Sequence, residues 1–156
     1  MSLLNNLQEL CVKKGVSVTI AESCTAGLIA SKLTSLSGSS AYFKGGVVAY
    51  QNEIKIKILE VSQSIIDNKT EVSAEVVEQM AKSVLKNFST DFALATSGYA
   101  GPNGGTSNNP IGTVFIAIAS VVGVVVSRFV FSGNRQSIVN QASESALDLL
   151  YTKIKK

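Results

Sequence analysis

At 156 residues, with 46% hydrophobic and 16% charged residues, the chain has enough apolar material to close the core of one domain. Its net charge of +3 comes from lysines and arginines that cluster only at Lys153, Lys155 and Lys156, so no basic stripe invites nucleic acid. Histidine is absent, and the only cysteines, Cys11 and Cys24, stand in no paired motif; this excludes Ser-His-Asp and Cys-His catalysis and imidazole metal sites, and argues against structural zinc or a disulfide framework.

In chain order, Leu3, Leu4, Leu7, Leu10 and Cys11 share one helical face, and Gly15 is placed to stop that helix. Val16 to Ala21 is an apolar, β-branched strand that runs through Glu22 into Ser23-Cys24, and Leu28, Ile29 and Leu33 recur at helical spacing in a helix from about Thr25 to Thr34. At this strand-turn-helix junction, Ser23 and Thr25 are either helix caps or reactive hydroxyls near a terminus whose unpaired N–H groups favour an anion. Glu22 reads equally as a group orienting substrate or as a surface carboxylate.

Ser35 to Ser40 reads as a loop, Gly45 to Tyr50 as a second strand, and Asn52 as the cap of a helix reaching about Leu59. Residues 61 to 72 read as polar and irregular. Ser73 starts a helix whose core face is Val76, Val77, Met80, Ala81, Val84 and Leu85. Phe92 to Thr96 is a third strand, and Ser97 to Gly112 is a long loop rich in Gly and Asn, of a length that is usually functional or disordered. Thr113 to Ser120 and Val124 to Phe131 form an antiparallel hairpin around Gly123, and a last helix begins at about Asn134 with Ile138, Val139, Ala142, Ala146, Leu149 and Leu150 inward.

Early strand-helix alternation followed by a hairpin predicts one domain with a three-layer α/β/α sandwich, its sheet mixed and mostly parallel with a C-terminal antiparallel hairpin. No basic-then-apolar leader opens the sequence, and the longest apolar run, near Val121 to Val126, is interrupted by glycine. A soluble cytoplasmic protein with no membrane contact is expected, and the apolar strand and helix faces suggest a homo-oligomer.

Without histidine, serine can still be activated by a lysine held neutral, its pKa brought down from roughly 10.4 towards 7 to 8. Lys55, near the positive end of its helix with Ile54, Ile56 and Ile58 around it, suits that role, and Lys57 is its rival. Tyr50 at the strand end is placed either to relay a proton or to rest on one buried hydrogen bond. Cys24 is the alternative nucleophile, or a small packing residue. The loop from Gly98 matches neither G-x-G-x-x-G nor the P-loop, yet its glycines let N–H groups converge on an anion, and Arg135 after Ser132-Gly-Asn can fork onto phosphate or carboxylate.

Five ordered blocks, Glu22-Ser-Cys-Thr-Ala-Gly27, Gly38-Ser-Ser-Ala-Tyr-Phe43, Gly45-Gly-Val-Val-Ala-Tyr-Gln-Asn-Glu-Ile-Lys55, Ser97-Gly-Tyr-Ala-Gly-Pro-Asn-Gly-Gly105 and Pro110-Ile-Gly-Thr-Val114, resemble the CinA C-terminal domain family of nicotinamide-nucleotide amidohydrolases. The likeness covers nearly the whole chain. It implies deamidation of nicotinamide mononucleotide to nicotinic acid mononucleotide and ammonia, with a small-molecule nucleotide as substrate and no metal or cofactor. By motif position it implies Ser23 as nucleophile, Lys55 as general base and Tyr50 as orienting or relaying group. It further implies a pocket shaped by Thr25, Ser40, Gly46, Ser97, Gly98, Gly101 and Gly105, and Arg135 on the substrate phosphate. The alternative is a non-catalytic nucleotide-binding module of the same fold. Three positions depart from the family pattern: Ala26 where a second glycine is usual, Tyr99 where an aliphatic residue is usual, and Glu71 beside the Val72-Ser73 helix start. The family domain also occurs fused behind a larger N-terminal domain, so only the amidase function is carried over.

Overall fold

The computed structural model describes residues 2–156. Helix α1 (Leu3–Lys14) is capped by Ser2, whose hydroxyl accepts from the Asn5 N–H, and ends at Gly15 in the left-handed conformation, as the sequence predicts. Strand β1 (Val18–Glu22) follows, and after a turn comes α2 (Leu28–Leu33). A single 3-10 turn over Ser39–Ala41 leads into β2 (Phe43–Val48), α3 (Asn52–Leu59), α4 (Gln63–Lys69) and α5 (Ala74–Phe88). The chain closes with β3 (Phe92–Gly98), β4 (Thr113–Ser120), β5 (Gly123–Val130) and α6 (Arg135–Lys155).

The strands lie in the order β2-β1-β3-β4-β5. Pairing of β1 with both β2 and β3 is parallel, and β3-β4 and β4-β5 are antiparallel, so β1, β2, β3 and β5 run one way and only β4 runs against them. This is the mixed, mostly parallel sheet with a C-terminal hairpin that the sequence predicts. The two-residue period of the strands divides the core between two layers. Val18, Ile20, Leu94, Val114, Ile116 and Ile118 face α1, α2 and α6. Ala21, Ala93, Ala95, Ala117 and Ala119 face the other side, where these small side chains make room for Val76, Val77, Met80 and Val84 of α5.

Four local expectations change. Residues 61 to 72 are not all irregular, because α4 occupies Gln63–Lys69; it is short, only Ile66 is buried and Ser62 makes no side-chain cap, so it lacks a strong periodic signal. Strand β2 begins at Phe43 and ends at Val48, leaving Tyr50 two residues beyond it. Helix α3 starts at Asn52, with Gln51 in the cap position and no side-chain cap bond. Helix α2 starts at Leu28 with Gly27 as its cap, so neither Ser23 nor Thr25 caps it. No helix among the described residues is long and apolar enough to cross a membrane.

Candidate functional site

Because the next two strands in sequence, β2 and β3, flank β1 on opposite sides, the loops leaving the carboxyl ends of these three parallel strands diverge and open a crevice. A cavity of about 400 Å³ lies there. Ser23 and Cys24 reach it from the end of β1, Tyr50, Gln51, Asn52 and Lys55 from the β2-α3 connection, Glu71 and Val72 from the entry to α5, Ser97 to Gly101 and Asn103 from the end of β3, and Arg135 from the start of α6.

Ser23 is held by its backbone. Its N–H donates to the Thr96 carbonyl at 3.1 Å, extending the β1-β3 register by one residue, while its own carbonyl accepts from Ala26 at 3.0 Å. Thr96 Oγ1 sits 3.4 Å from the same Ser23 N–H and 2.9 Å from Thr25 Oγ1. Thr25 is therefore a buried brace of the turn and does not line the cavity. The turn is tight: Ala26 has φ 49° and Gly27 φ 95°, so two consecutive residues are left-handed.

Glu22 is neither a surface carboxylate nor a free ligand for substrate. It is fully buried, and its two oxygens accept from the N–H groups of Ile29 at 2.9 Å and Ala30 at 3.0 Å. The positive end of α2 is thus filled by the chain's own carboxylate rather than held open for an anion. In the preceding turn, the N–H groups of Cys24 and Thr25 donate to no backbone carbonyl among the described residues.

Of the two candidate lysines, Lys57 is exposed and paired with Glu53 at 2.6 Å, whereas Lys55 is 1% exposed. Among the described residues, Lys55 Nζ donates only to the Tyr50 carbonyl, at 3.4 Å. Burial pushes its pKa down from the ordinary lysine value, against a smaller upward pull from the charge of Glu71. Burial has the opposite effect on the Cys24 thiol, whose pKa is pushed up to about 12, so the thiol stays protonated.

Tyr50 is 53% exposed, and its phenolic oxygen accepts from Arg135 Nη2 at 2.7 Å. The hydroxyl is engaged by arginine, and Lys55 meets this residue only through the main chain. Arg135 Nη1 donates to the Gly101 carbonyl at 2.6 Å, so the guanidinium ties the β3 loop to the β2 exit across the cavity mouth. Ser97 Oγ donates to the Glu71 carbonyl at 2.7 Å and fixes the α5 entry against the end of β3.

Ser23, Tyr50, Lys55, Ser97, Gly98, Gly101 and Arg135 are thus brought to one cavity, and Thr25, Ser40, Gly46 and Gly105 are not. Ser40 is exposed in the 3-10 turn before β2, at the opposite end of the parallel strands. Gly46 lies inside β2, where a Cβ would come 2.1 Å from the Ile20 carbonyl oxygen; it serves close strand packing. Gly105 packs on the Ile111 backbone. Sequence reading missed Gln51, Asn103 and the brace Thr96. A β-branched hydroxyl at a strand end reads simply as strand, and the only signal for Thr96 was its place directly before Ser97.

The fold and site together define a three-layer α/β protein with a histidine-free, polar cavity at the carboxyl ends of its parallel strands. The model of the CinA C-terminal domain matches residues 1–154, and the chain belongs to that family. A CinA-like protein of Flavobacterium psychrophilum is 47% identical over 150 residues, which are 96% of this chain and 36% of that protein. One from Desulfotalea psychrophila is 45% identical over 139 residues, covering 89% of this chain and 34% of that protein. The chain therefore spans about a third of the length of the curated relatives it matches. The crystal structure of competence damage-inducible protein A from Klebsiella pneumoniae superposes with a TM-score of 0.95 at 32% identity, over 98% of this chain and 95% of that one.

Proposed function

We propose that the cavity is the active site of an amidohydrolase that converts nicotinamide mononucleotide to nicotinic acid mononucleotide and ammonia, with Ser23 as nucleophile and Lys55 as base. The observation that carries this reading is the pairing, in one cavity, of a serine on a fixed turn with a lysine that burial drives towards its neutral form. Neutral Lys55 takes the Ser23 hydroxyl proton as Oγ attacks the carboxamide carbon. The tetrahedral oxyanion is met by the N–H group of Cys24, which lines the cavity and donates to no backbone carbonyl among the described residues. Lys55 returns the proton to the departing nitrogen, ammonia leaves, and water attacking the acyl-serine releases the acid. Arg135, at the cavity mouth, holds the phosphate by exchanging its carbonyl and phenol partners for phosphate oxygens. Tyr50, bonded to that guanidinium, orients it.

Ser23→Ala lowers ammonia release from nicotinamide mononucleotide by about a thousandfold or more in a coupled assay. Cys24→Ala keeps most of it, because the protonated thiol is no nucleophile. Ordinary turnover by Ser23→Ala overturns the nucleophile. Binding of the mononucleotide by the unmodified protein without ammonia release favours instead a nucleotide-binding module.

A further inference from the structure

Among the described residues that line the cavity, Glu71 alone carries a carboxylate. Its main chain is pinned, since its carbonyl accepts from Ser97 Oγ at 2.7 Å, but its carboxylate has no hydrogen bond or ion pair with any described residue. The two basic side chains of the cavity are otherwise engaged. Arg135 spends both terminal nitrogens on Gly101 and Tyr50, and Lys55 makes no ion pair with Glu71 within 4.0 Å although the charges feel each other. Tyr99 lines the same cavity.

An unpaired carboxylate is a liability in a site that takes a phosphorylated ligand, because it repels the ligand's charge and gives up hydration when the ligand arrives. The liability disappears when the ligand places a positive charge beside it, and an aromatic wall favours that charge further. We propose that Glu71 is a specificity-determining residue that selects a ligand whose amide is carried on a cationic aromatic ring, against an uncharged ring of nearly the same shape. The proposal rests on the amidase reading of this cavity. The pyridinium of nicotinamide mononucleotide is such a ring, and its 1,4-dihydro form keeps the carboxamide, ribose and phosphate while losing the charge. Hydrolysis replaces the neutral amide by a carboxylate, which Glu71 repels, so the same side chain favours release of the acid.

The test is calorimetric titration of both forms into the Ser23→Ala protein, so that the amide persists, and into Ser23→Ala/Glu71→Gln. The cationic form binds Ser23→Ala about five-fold or more tighter than the dihydro form. Glu71→Gln brings the two within about two-fold by weakening the cationic form alone. Equal weakening of both forms, no change in either, or no preference in the Ser23→Ala protein overturns the proposal. An ammonia assay on the unmodified protein separates the two readings: charge preference without ammonia keeps the Glu71 assignment and sinks the amidase, and ammonia without charge preference does the reverse.

Discussion

Thr96 touches the site from beneath. Its carbonyl and hydroxyl both face the Ser23 N–H, and the hydroxyl is also the one side-chain partner of buried Thr25 Oγ1 at 2.9 Å. Thr96→Val keeps the shape and removes the oxygen, leaving Thr25 unsatisfied in a dry place, which costs about 1 to 3 kcal/mol in denaturant unfolding. Because the turn that carries Ser23 then loses its brace, kcat falls while KM holds, and Thr96→Ser restores kcat. A variant with unchanged kcat and unfolding midpoint refutes the brace. At this scale Ser23 and Lys55 were legible as candidates from residue type, helix position and family block, and the fold brings both to one cavity. Spacing alone left Lys57 as a rival and the family block picked Lys55; the burial of one and the pairing of the other with Glu53 are tertiary facts that support that choice. The partners of Glu22 and Tyr50 were illegible for the same reason: a carboxylate that caps a helix seven and eight residues away, and a phenol held by an arginine 85 positions on, leave no local pattern.

The turn from Ser23 to Gly27 is the element on which the site depends, and it carries backbone strain. Ala26 adopts φ 49°, where an L residue pays roughly 1 to 2 kcal/mol, and its side chain is exposed, so little packing compensates. Glycine removes that strain but adds about 0.4 to 1 kcal/mol of unfolded-state entropy. Ala26→Gly therefore raises stability by a net of about 0.5 kcal/mol, read as a higher melting temperature. A lower melting temperature would mean that the methyl supports the turn. Ala26 does not line the cavity that holds Ser23 and Lys55, but it lines an adjoining one that shares Cys24, Tyr50 and Arg135 with it. Long elements with strong periodicity, such as α5 and α6 with their Ser73 and Asn134 caps, were legible to within a residue at their starts. The seven-residue α4 was not, because its stability comes from its neighbours, including the Ser62 N–H that donates to Gln79 of α5.

Across the whole molecule, two opposite effects of burial on ionisable groups make stability depend on pH, and Lys55, the proposed base, sits on the costly side. A mixed sheet with helices on both faces followed from strand-helix alternation and the hairpin, whereas the strand order and a fully buried lysine, which runs against ordinary core composition, came only with the structure. Lys55 has a folded pKa below its unfolded value near 10.4, so the unfolded chain binds the proton more tightly. Its contribution to stability is unfavourable at neutral pH and the penalty fades as pH climbs from the folded pKa to about 10.4. Cys11, Cys24 and Tyr42, all raised to about 12 by burial, act in the other sense: the unfolded chain loses those protons first, so their effect erodes stability in the alkaline range. A single pH-stability curve mixes the two, and the difference between Lys55→Met and the unmodified protein largely cancels the thiol and phenol contributions. Lys55→Met removes a buried charge for a side chain of similar length, so it is more stable by about 1 to 3 kcal/mol at pH 7, and the gap shrinks towards pH 10. The same variant releases ammonia at a small fraction of the unmodified rate, and that residual rate lacks the rise with pH expected of the unmodified protein as Lys55 gives up its proton. A stability difference that is flat from pH 7 to 10 would show that Lys55 titrates as it does in the unfolded chain and remove the physical basis for its role as base.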